Sequence, residues 1–369
     1  MNSTELPYLA NLDEYREQAA ALLDALKRGD ADAHWCFKWE HPRFRGQTVD
    51  AVQTATLDVD DAQLVVARQY GFENWADLER FTDAVRLDES VARFETAVEA
   101  VVSGDVESLA AMLRDHPELA RARSTRRHHA TLLHYVAANG VEGARQKTPK
   151  TAVAIAKMLL EAGAEVDALA DMYDEQCTTM SMLVSSGHPA GAGLQIPLAE
   201  TLLDHGAALT GAGSKWRSPL MTALQFGFLP TANALARRGA PVDGIAAAAG
   251  LGRVQETARL LPDADSESRH AALVLAAQLG HAAVVQLLLD AGEDPNRFNP
   301  EGYHAHSTPL HQAIAADHSD VVQVLVERGA RLDIRDTIYR GTPLDWALYL
   351  GRTGIAEYLR QRNAPVADR

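Results

Sequence analysis

Residues that could carry out acid–base chemistry lie in four short polar segments of the chain. A histidine can take up a proton, a carboxylate can orient it, a tyrosine can return a proton and an arginine can hold an anion. The candidates are His129, His304 and His306 as bases, Asp171, Asp174 and Asp336 as orienting carboxylates, Tyr173 and Tyr339 as acids, and Arg127 and Arg340 as anion-binding groups. If the fold brings one of each type together, these residues predict a proton-transfer site.

Metal binding is the second chemistry that two of these histidines could serve. His304 and His306 are two residues apart, so on a strand both imidazoles would face the same way, and Asp317 or Asp336 could join them. No third ligand stands at a fixed spacing, and a histidine pair on a solvated hairpin usually stays solvated. No complete phosphate-binding glycine motif is present either. We therefore predict neither a metal site nor a cofactor.

Composition limits the classes of protein to which the chain can belong. Its 369 residues carry a formal net charge of −15, which disfavours general nucleic-acid binding because like charges repel. Cys36 and Cys177 cannot form a disulfide framework, which is typical of a reducing compartment. The first residues are acidic without an apolar run, and no later stretch has the composition of a membrane span. We predict a cytoplasmic protein that binds neither nucleic acid nor membranes.

The segment from Thr308 to Gly329 predicts two short helices joined by a turn. Thr308 can cap the first helix through its hydroxyl, and Pro309 suits the first helical position because the N–H it lacks would be unpaired there. Apolar residues recur at helical spacing on both sides of the polar break 317–320, until Gly329 supplies a left-handed cap. The same pattern starts again at Thr342, one period of about 33 residues later.

Helix starts of this kind recur along most of the chain. They stand at Thr131, Thr178, Ser218, Ala271, Thr308 and Thr342. Two less regular helix pairs occupy 94–119 and 244–261. On these motifs the chain resembles the ankyrin-repeat family. The resemblance implies an all-α ankyrin-repeat solenoid of about seven to eight helical-hairpin units with β-hairpin fingers, over residues 90–369.

Residues 1–89 do not repeat, but they carry three helical patterns. Apolar stripes run through 15–26 and 60–71, and Asn74 can cap a third helix. The region looks like the helical segment found before ankyrin repeats in many bacterial members. We interpret it as an N-terminal helical capping region that covers the first repeat of the solenoid.

Two local clusters each allow two interpretations. The basic segment 121–129 could hold an anion, or its side chains could pair with the acidic surface of the protein itself. Trp35, Trp39 and Phe44 could form a docking patch or belong to the core.

The resemblance also implies where binding takes place. In this family the fingers and the first helix of each unit line a concave groove. Mapping that face onto the sequence gives these partner-binding candidates: Arg127, Tyr173, Trp216, Arg217, Tyr303, His304, Tyr339, Arg340 and Tyr349. Because tyrosine, tryptophan and arginine contribute much of the energy of protein interfaces, we predict a non-catalytic scaffold that recognises a protein partner. The resemblance makes His134 and His311 structural, because that histidine bonds between neighbouring units.

The alternative is a small-molecule-binding protein or an acid–base isomerase, lyase or hydrolase. Its site would lie in the groove under the enlarged finger 296–307. Two inserts, 141–151 and 188–197, lie between the first and second helices of adjacent units and read as long loops, which are often functional. The sequence leaves this choice open, and it favours binding without catalysis.

Overall fold

The computed structural model describes residues 9–141, 146–210 and 218–363. Within these ranges the chain is mostly helical and has one two-stranded sheet. It divides into two compact units, Met1–Arg217 and Ser218–Arg369. The candidates Trp216 and Arg217, and residues 142–145 of the first insert, lie outside the described residues.

The first unit begins with five helices. They are α1 (Leu12–Lys27), α2 (Ala31–Glu40), α3 (Val49–Gln53), α4 (Val59–Gln69) and α5 (Trp75–Leu87). The patterns that predict α1, α4 and α5 are confirmed, and the side chain of Asn74 caps α5 as expected. Helices α2 and α3 were not predicted, because they are short and α2 has almost no amphipathic stripe. Buried side chains between Ala10 and Phe81 give these helices a core of their own.

The aromatic residues near α2 divide between core and surface. Phe44 is buried in the core of these helices, so the core interpretation is correct for it. Trp35 and Trp39 are 40% and 59% exposed, and their rings stack with centroids 6.2 Å apart.

The described part of the first unit continues with three helical hairpins, the third of which contains the additional short helix α11 (Gly187–Gly191). Their helices are α6 (Glu89–Ser103), α7 (Val106–Asp115), α8 (Leu132–Val136), α9 (Ala152–Glu161), α10 (Thr179–Leu183), α11 (Gly187–Gly191) and α12 (Gln195–Asp204). Thr131 and Thr178 stand at the predicted N-caps, each in a capping box. The insert 188–197 is not the predicted loop, because it contains most of α11 and the start of α12. Gln195 fastens it to the hairpin by donating to the carbonyls of Leu183 and Ser186.

Five hairpins make up the described part of the second unit. Their helices are α13 (Pro219–Gln225), α14 (Leu229–Arg237), α15 (Gly244–Gly250), α16 (Val254–Leu260), α17 (Ser266–Gln278), α18 (Ala282–Asp290), α19 (Pro309–Ala315), α20 (Ser319–Glu327), α21 (Pro343–Tyr349) and α22 (Thr353–Gln361). Small and branched apolar residues between Ile245 and Leu359 pack into a continuous core. The predicted caps at Ser218, Thr308 and Thr342 are confirmed. The start at Ala271 is wrong, because the side chain of Asp265 accepts from the N–H of Ser268 and begins α17 five residues earlier.

Strand pairing is rarer than the predicted fingers suggest. Strands β1 (Ala170–Met172) and β2 (Glu175–Cys177) form an antiparallel hairpin, and a single bridge joins Arg123 to Thr131. The other fingers among the described residues are built from turns. Single 3₁₀ turns occupy Pro42–Phe44, Pro117–Ala120 and Leu261–Asp263. None of the helices in the described ranges is long and apolar enough to cross a membrane.

Candidate functional site

A strained hairpin tip presents Tyr173 at the surface of the first unit. Met172 pairs with Glu175, so Tyr173 and Asp174 form a two-residue turn, and both have positive φ, of 55° and 61°. Such turns favour asparagine and glycine, and a tyrosine in the left-handed region costs about 1 kcal/mol. The backbone therefore holds Tyr173 in a position that local preference alone would not give it.

Side chains from the neighbouring hairpins fix the ring of Tyr173. Its hydroxyl donates to Oδ1 of Asn139 at 2.6 Å, and Asn139 donates in turn to Oγ of Ser185 at 2.7 Å. Gly140 packs closely against this β-hairpin, because a Cβ atom at position 140 would lie 2.9 Å from the sulfur of Met172. Burial raises the pKa of the Tyr173 hydroxyl, although 47% of the residue is exposed. The ring is thus anchored at one edge and open at the other.

An open cavity of about 800 Å³ adjoins this hairpin and gathers several of the predicted residues. Its lining consists of Gly71, Arg127, His128, His129, Gly140 and residues 171–176. Within the described residues, the carboxylate of Asp171 accepts a hydrogen bond from Gln176, and no hydrogen bond joins it to His129. The cavity therefore collects a base, two of the candidate carboxylates, a tyrosine and an arginine, but within the described residues no hydrogen bond joins His129 to Asp171 or Asp174.

The basic segment 121–129 is divided between interior and surface, because Arg126 and His128 are buried whereas Arg121, Arg123, Arg127 and His129 are exposed. Neither sequence interpretation anticipated the burial of Arg126. Arg126 is 3% exposed and donates to Oε2 of Glu95 at 2.8 Å. Its guanidinium lies 4.6 Å from the ring centroid of Phe81. Arg121 and Arg123 donate to backbone carbonyls of the next hairpin. The sequence carried one sign of this arrangement, because Glu95 falls on the apolar stripe of α6.

Arg127 and His129 remain available at the rim of the cavity. Arg127 is exposed and lies 3.6 Å from the equally exposed Glu73, a weak surface pair. His129 has a φ of 49° and is exposed, whereas the neighbouring His128 is buried. Burial lowers the pKa of His128 well below its ordinary value, so this histidine stays neutral near pH 7.

In the second unit, Asp336 organises the finger 335–341. It is 1% exposed, and its Oδ1 accepts from the N–H groups of Ile338 and Tyr339. Its Oδ2 accepts from the N–H of Gly341 and from the indole of Trp346. Burial acts to raise the pKa of Asp336, but these hydrogen bonds outweigh it and lower the pKa. Asp336 is therefore a structural carboxylate that accepts two hydrogen bonds at each oxygen, and within the described residues none of its donors is a histidine.

The enlarged finger 296–307 folds as a series of turns. The expectation that His304 and His306 share one face of a strand is wrong, because neither residue lies in a strand: His304 has a φ of 61° and His306 lies in a turn. The N–H of Asn299 donates to the carbonyl of Ser307 and closes the loop. Burial raises the pKa of Tyr303 and lowers that of His304. Among the described residues, no group of three potential ligands could hold a metal ion.

The remaining candidates of the second unit lie on the finger 335–341 and on α21, and one of the candidate histidines packs near Trp346. The imidazole of His306 lies between Tyr339 and Trp346, with ring centroids 6.2 and 6.0 Å away. Arg340 adopts a φ of 61° at the end of the finger and is exposed. Tyr349, one turn beyond Trp346 on α21, is 90% exposed.

Comparison with known proteins identifies the repeats. The family models described as "Ankyrin repeats (3 copies)" and "Ankyrin repeat" match residues 298–368 and 269–300. Cyclin-dependent kinase inhibitor 2A of Homo sapiens is 39% identical over 124 residues, which cover 32% of this chain and 76% of that protein. The chain belongs to the ankyrin-repeat family. Its predicted all-α ankyrin-repeat fold is confirmed, and the bacterial type with an N-terminal helical segment stays a prediction.

Two other relatives and one solved structure are similar to this ankyrin-repeat protein. Cyclin-dependent kinase 4 inhibitor B of Homo sapiens is 34% identical over 126 residues, covering 33% of this chain and 88% of that protein. Ankyrin repeat and SAM domain-containing protein 6 of Mus musculus is 35% identical over 108 residues, covering 29% of this chain and 12% of that protein. The ankyrin repeat domain of human ASB11 is 20% identical with a TM-score of 0.38, and the match covers 73% of this chain and 99% of that chain.

Two buried histidines close the N-termini of their own helices, and one of them, His134, also contacts the next hairpin. Nδ1 of His134 accepts from the N–H of Thr131, and Nε2 lies 3.3 Å from the carbonyl of Cys177 in the next hairpin. His311 repeats the first of these contacts with Thr308. Burial lowers the pKa of both imidazoles to about 4, so each ring is neutral near pH 7.

Acidification should therefore destabilise the first unit through His134. Burial lowers the pKa of His134 from 6.5 to about 4, although its hydrogen bond to Cys177 opposes the shift. The unfolded chain takes up this proton near pH 6.5 and the folded chain only near pH 4. Stability is thus complete above pH 6.5 and is lost as the pH falls, by about 2 kcal/mol at pH 5. Urea denaturation at pH 7 and pH 5 should show this loss in the wild type. In His134→Gln the fall in the free energy of unfolding between pH 7 and pH 5 should be smaller by about 2 kcal/mol. An equal fall in the variant and the wild type would show that His134 is not responsible for it.

Proposed function

We propose that this ankyrin-repeat protein is a non-catalytic scaffold that binds a protein partner through its fingers and the ends of its first helices. The observation that carries the proposal is a set of tyrosines held outside the core on ordered backbone. Tyr173, Tyr339 and Tyr349 are 47%, 61% and 90% exposed. Large aromatic side chains on a preorganised surface supply binding energy at a low cost in conformational entropy.

Two further observations support a protein ligand. The hydroxyl of Tyr173 is hydrogen-bonded to Asn139, and the backbone N–H of Tyr339 is hydrogen-bonded to Asp336. Both fingers are therefore already ordered before a partner binds. Two of the relatives are named as inhibitors of cyclin-dependent kinases, which are themselves proteins.

Replacing the exposed tyrosines should weaken partner binding without unfolding the protein. Because a central aromatic anchor contributes about 2 kcal/mol or more, Tyr339→Ala or Tyr349→Ala should each lower affinity about 30-fold. The partner can be trapped first, by placing a photoreactive phenylalanine analogue at position 339 or 349 and irradiating the producing cells. Leu87 is a matched control, because it is a large apolar residue that is 72% exposed at the end of α5, far in sequence from positions 339 and 349. A polypeptide trapped equally well from position 87, or full affinity in both alanine variants, would contradict the proposal.

A small-molecule ligand or acid–base catalysis is the second candidate, favoured by the cavity of the first unit. That cavity gathers Arg127, His129, Asp171 and Tyr173. Equilibrium dialysis against a metabolite extract of the source cells, followed by mass spectrometry, would test it. A compound retained by the wild type and lost with His129→Gln and Asp171→Asn would support this candidate.

We also propose that residues 1–89 cap the repeats of the first unit and that the protein acts in the cytoplasm. The cap is supported by Asp88, which ends α5 and also accepts from Ser90 at the start of α6. Arg126 adds support, because it packs on Phe81 of α5 while pairing with Glu95 of the first hairpin. Deletion of residues 1–89 should therefore expose that buried pair and lower the stability of the repeats.

A further inference from the structure

The finger 335–341 is locally basic on a chain whose net formal charge is −15. Its own carboxylate, Asp336, is buried and accepts four hydrogen bonds. The adjoining Asp333 pairs with Arg331 at 2.8 Å. Arg335 and Arg340 are both exposed, and within the described part of the chain neither has a carboxylate within 4.0 Å. Two positive charges at this finger are therefore left without an internal partner.

Two apolar side chains lie between these arginines in the sequence. Ile338 is 53% exposed and Tyr339 is 61% exposed. The N–H groups of both residues are bonded to Asp336 at 2.9 and 2.6 Å, so the loop is already fixed in the conformation that exposes them. A ligand that contacts this finger would meet apolar surface flanked by guanidinium groups.

We propose that the finger 335–341 binds an acidic peptide segment of the partner that also carries an apolar side chain. This inference rests on the proposed docking function and narrows it to one chemical class. Carboxylates of the segment would pair with Arg335 and Arg340, since a guanidinium binds a carboxylate through two parallel hydrogen bonds. The apolar side chain would pack on Ile338 and Tyr339. A basic segment would be repelled by the same two arginines, which gives the finger its selectivity.

Two synthetic probes of opposite charge test this assignment on the full chain. One is a fluorescein-labelled peptide with four glutamates and two leucines in a glycine–serine background, and the other has lysine in place of every glutamate. Fluorescence anisotropy should show saturable binding of the glutamate probe, at least about tenfold tighter than the lysine probe. The affinity should fall between about 50 and about 300 mM NaCl, because exposed charges are screened.

Charge-reversal variants locate the binding to the finger. The double variant Arg335→Glu, Arg340→Glu should bind the glutamate probe at least about tenfold more weakly. Arg237→Glu is the matched control, because Arg237 is an exposed arginine of the same unit at the end of α14. It should change the affinity less than about twofold, through long-range charge alone.

Several outcomes would overturn the assignment. They are equal affinity for the two probes, no saturable binding of either probe, and an unchanged affinity of the double variant for the glutamate probe. A dimer seen in sedimentation and lost in the double variant would assign the finger to a second copy of the chain instead. If position 339 still traps a polypeptide while the glutamate probe fails, the docking function stands and only the acidic class is lost. If no polypeptide is trapped, the docking function itself fails.

Discussion

Replacing Arg126 with methionine should lower the free energy of unfolding of the first unit by about 3 to 5 kcal/mol. Methionine keeps the apolar contact with Phe81, but it leaves the carboxylate of Glu95 without its guanidinium. Glu95 is 0% exposed on the apolar face of α6. A single buried charge costs far more than a buried pair, because its loss of hydration is no longer offset by attraction to its partner.

The double variant Arg126→Met, Glu95→Leu separates this explanation from simple loss of packing. Because both charges are then gone, the double variant should recover most of the lost stability and be more stable than Arg126→Met alone. Urea denaturation followed by circular dichroism measures all three proteins. Arg86→Met is the matched control, since Arg86 pairs with Asp83 at 3.1 Å with both side chains more than half exposed. It should cost less than about 1 kcal/mol, and an equal loss in the control would contradict our account of the buried pair.

Replacing Asp336 with asparagine should destabilise the second unit by about 3 kcal/mol. The carboxylate accepts from four N–H groups, two at each oxygen. The asparagine side chain has one acceptor oxygen, which can replace only one of the two carboxylate oxygens. Its NH₂ group would take the place of the other oxygen and would point at two N–H donors in the buried site. Unsatisfied donors in a buried site cost their full desolvation penalty, and these hydrogen bonds are stronger because the acceptor is charged.

Asp333→Asn provides the control for this substitution. Asp333 is an exposed residue of the same finger region, and among the residues that the structure describes its one ion pair is with Arg331. Thermal unfolding should place Asp333→Asn close to the wild type and Asp336→Asn well below it. The pKa of Asp336 is lowered, so its contribution should be present above about pH 4 and should be lost as the pH falls through the lowered value. Equal melting temperatures for the two variants would contradict the structural role of Asp336.

Local signals in the sequence predicted the repeats well. Thr131, Thr178 and Thr308 stand at their expected caps, since a cap depends on only the next few residues. The start at Ala271 was wrong because it followed the register of the repeat, whereas the stronger cap at Asp265 lies upstream. The short helices α2 and α11 were missed because neither has an apolar stripe long enough to reveal it.

The candidate sites were harder to predict, because their geometry depends on residues far apart in the sequence. The conformation of His304 follows from how the loop 296–307 closes on itself, so strand alternation misplaced it. Asp336 matches a catalytic carboxylate in residue type alone, and only its four donors reveal that it is structural. Tyr173 was correctly placed on a finger, but its anchor Asn139 lies in another hairpin.

The sequence by itself determined the ankyrin-repeat class of this protein, because periodic apolar residues, caps and closing glycines act within single helices and turns. The tertiary structure alone decided which polar residues remain available for binding. Arg126 and Arg127 are neighbours in the sequence, yet one is buried against Glu95 and the other is exposed at the rim of a cavity. That difference arises from packing between separate hairpins, which fixes the desolvation of each charge and cannot be read from the charges themselves.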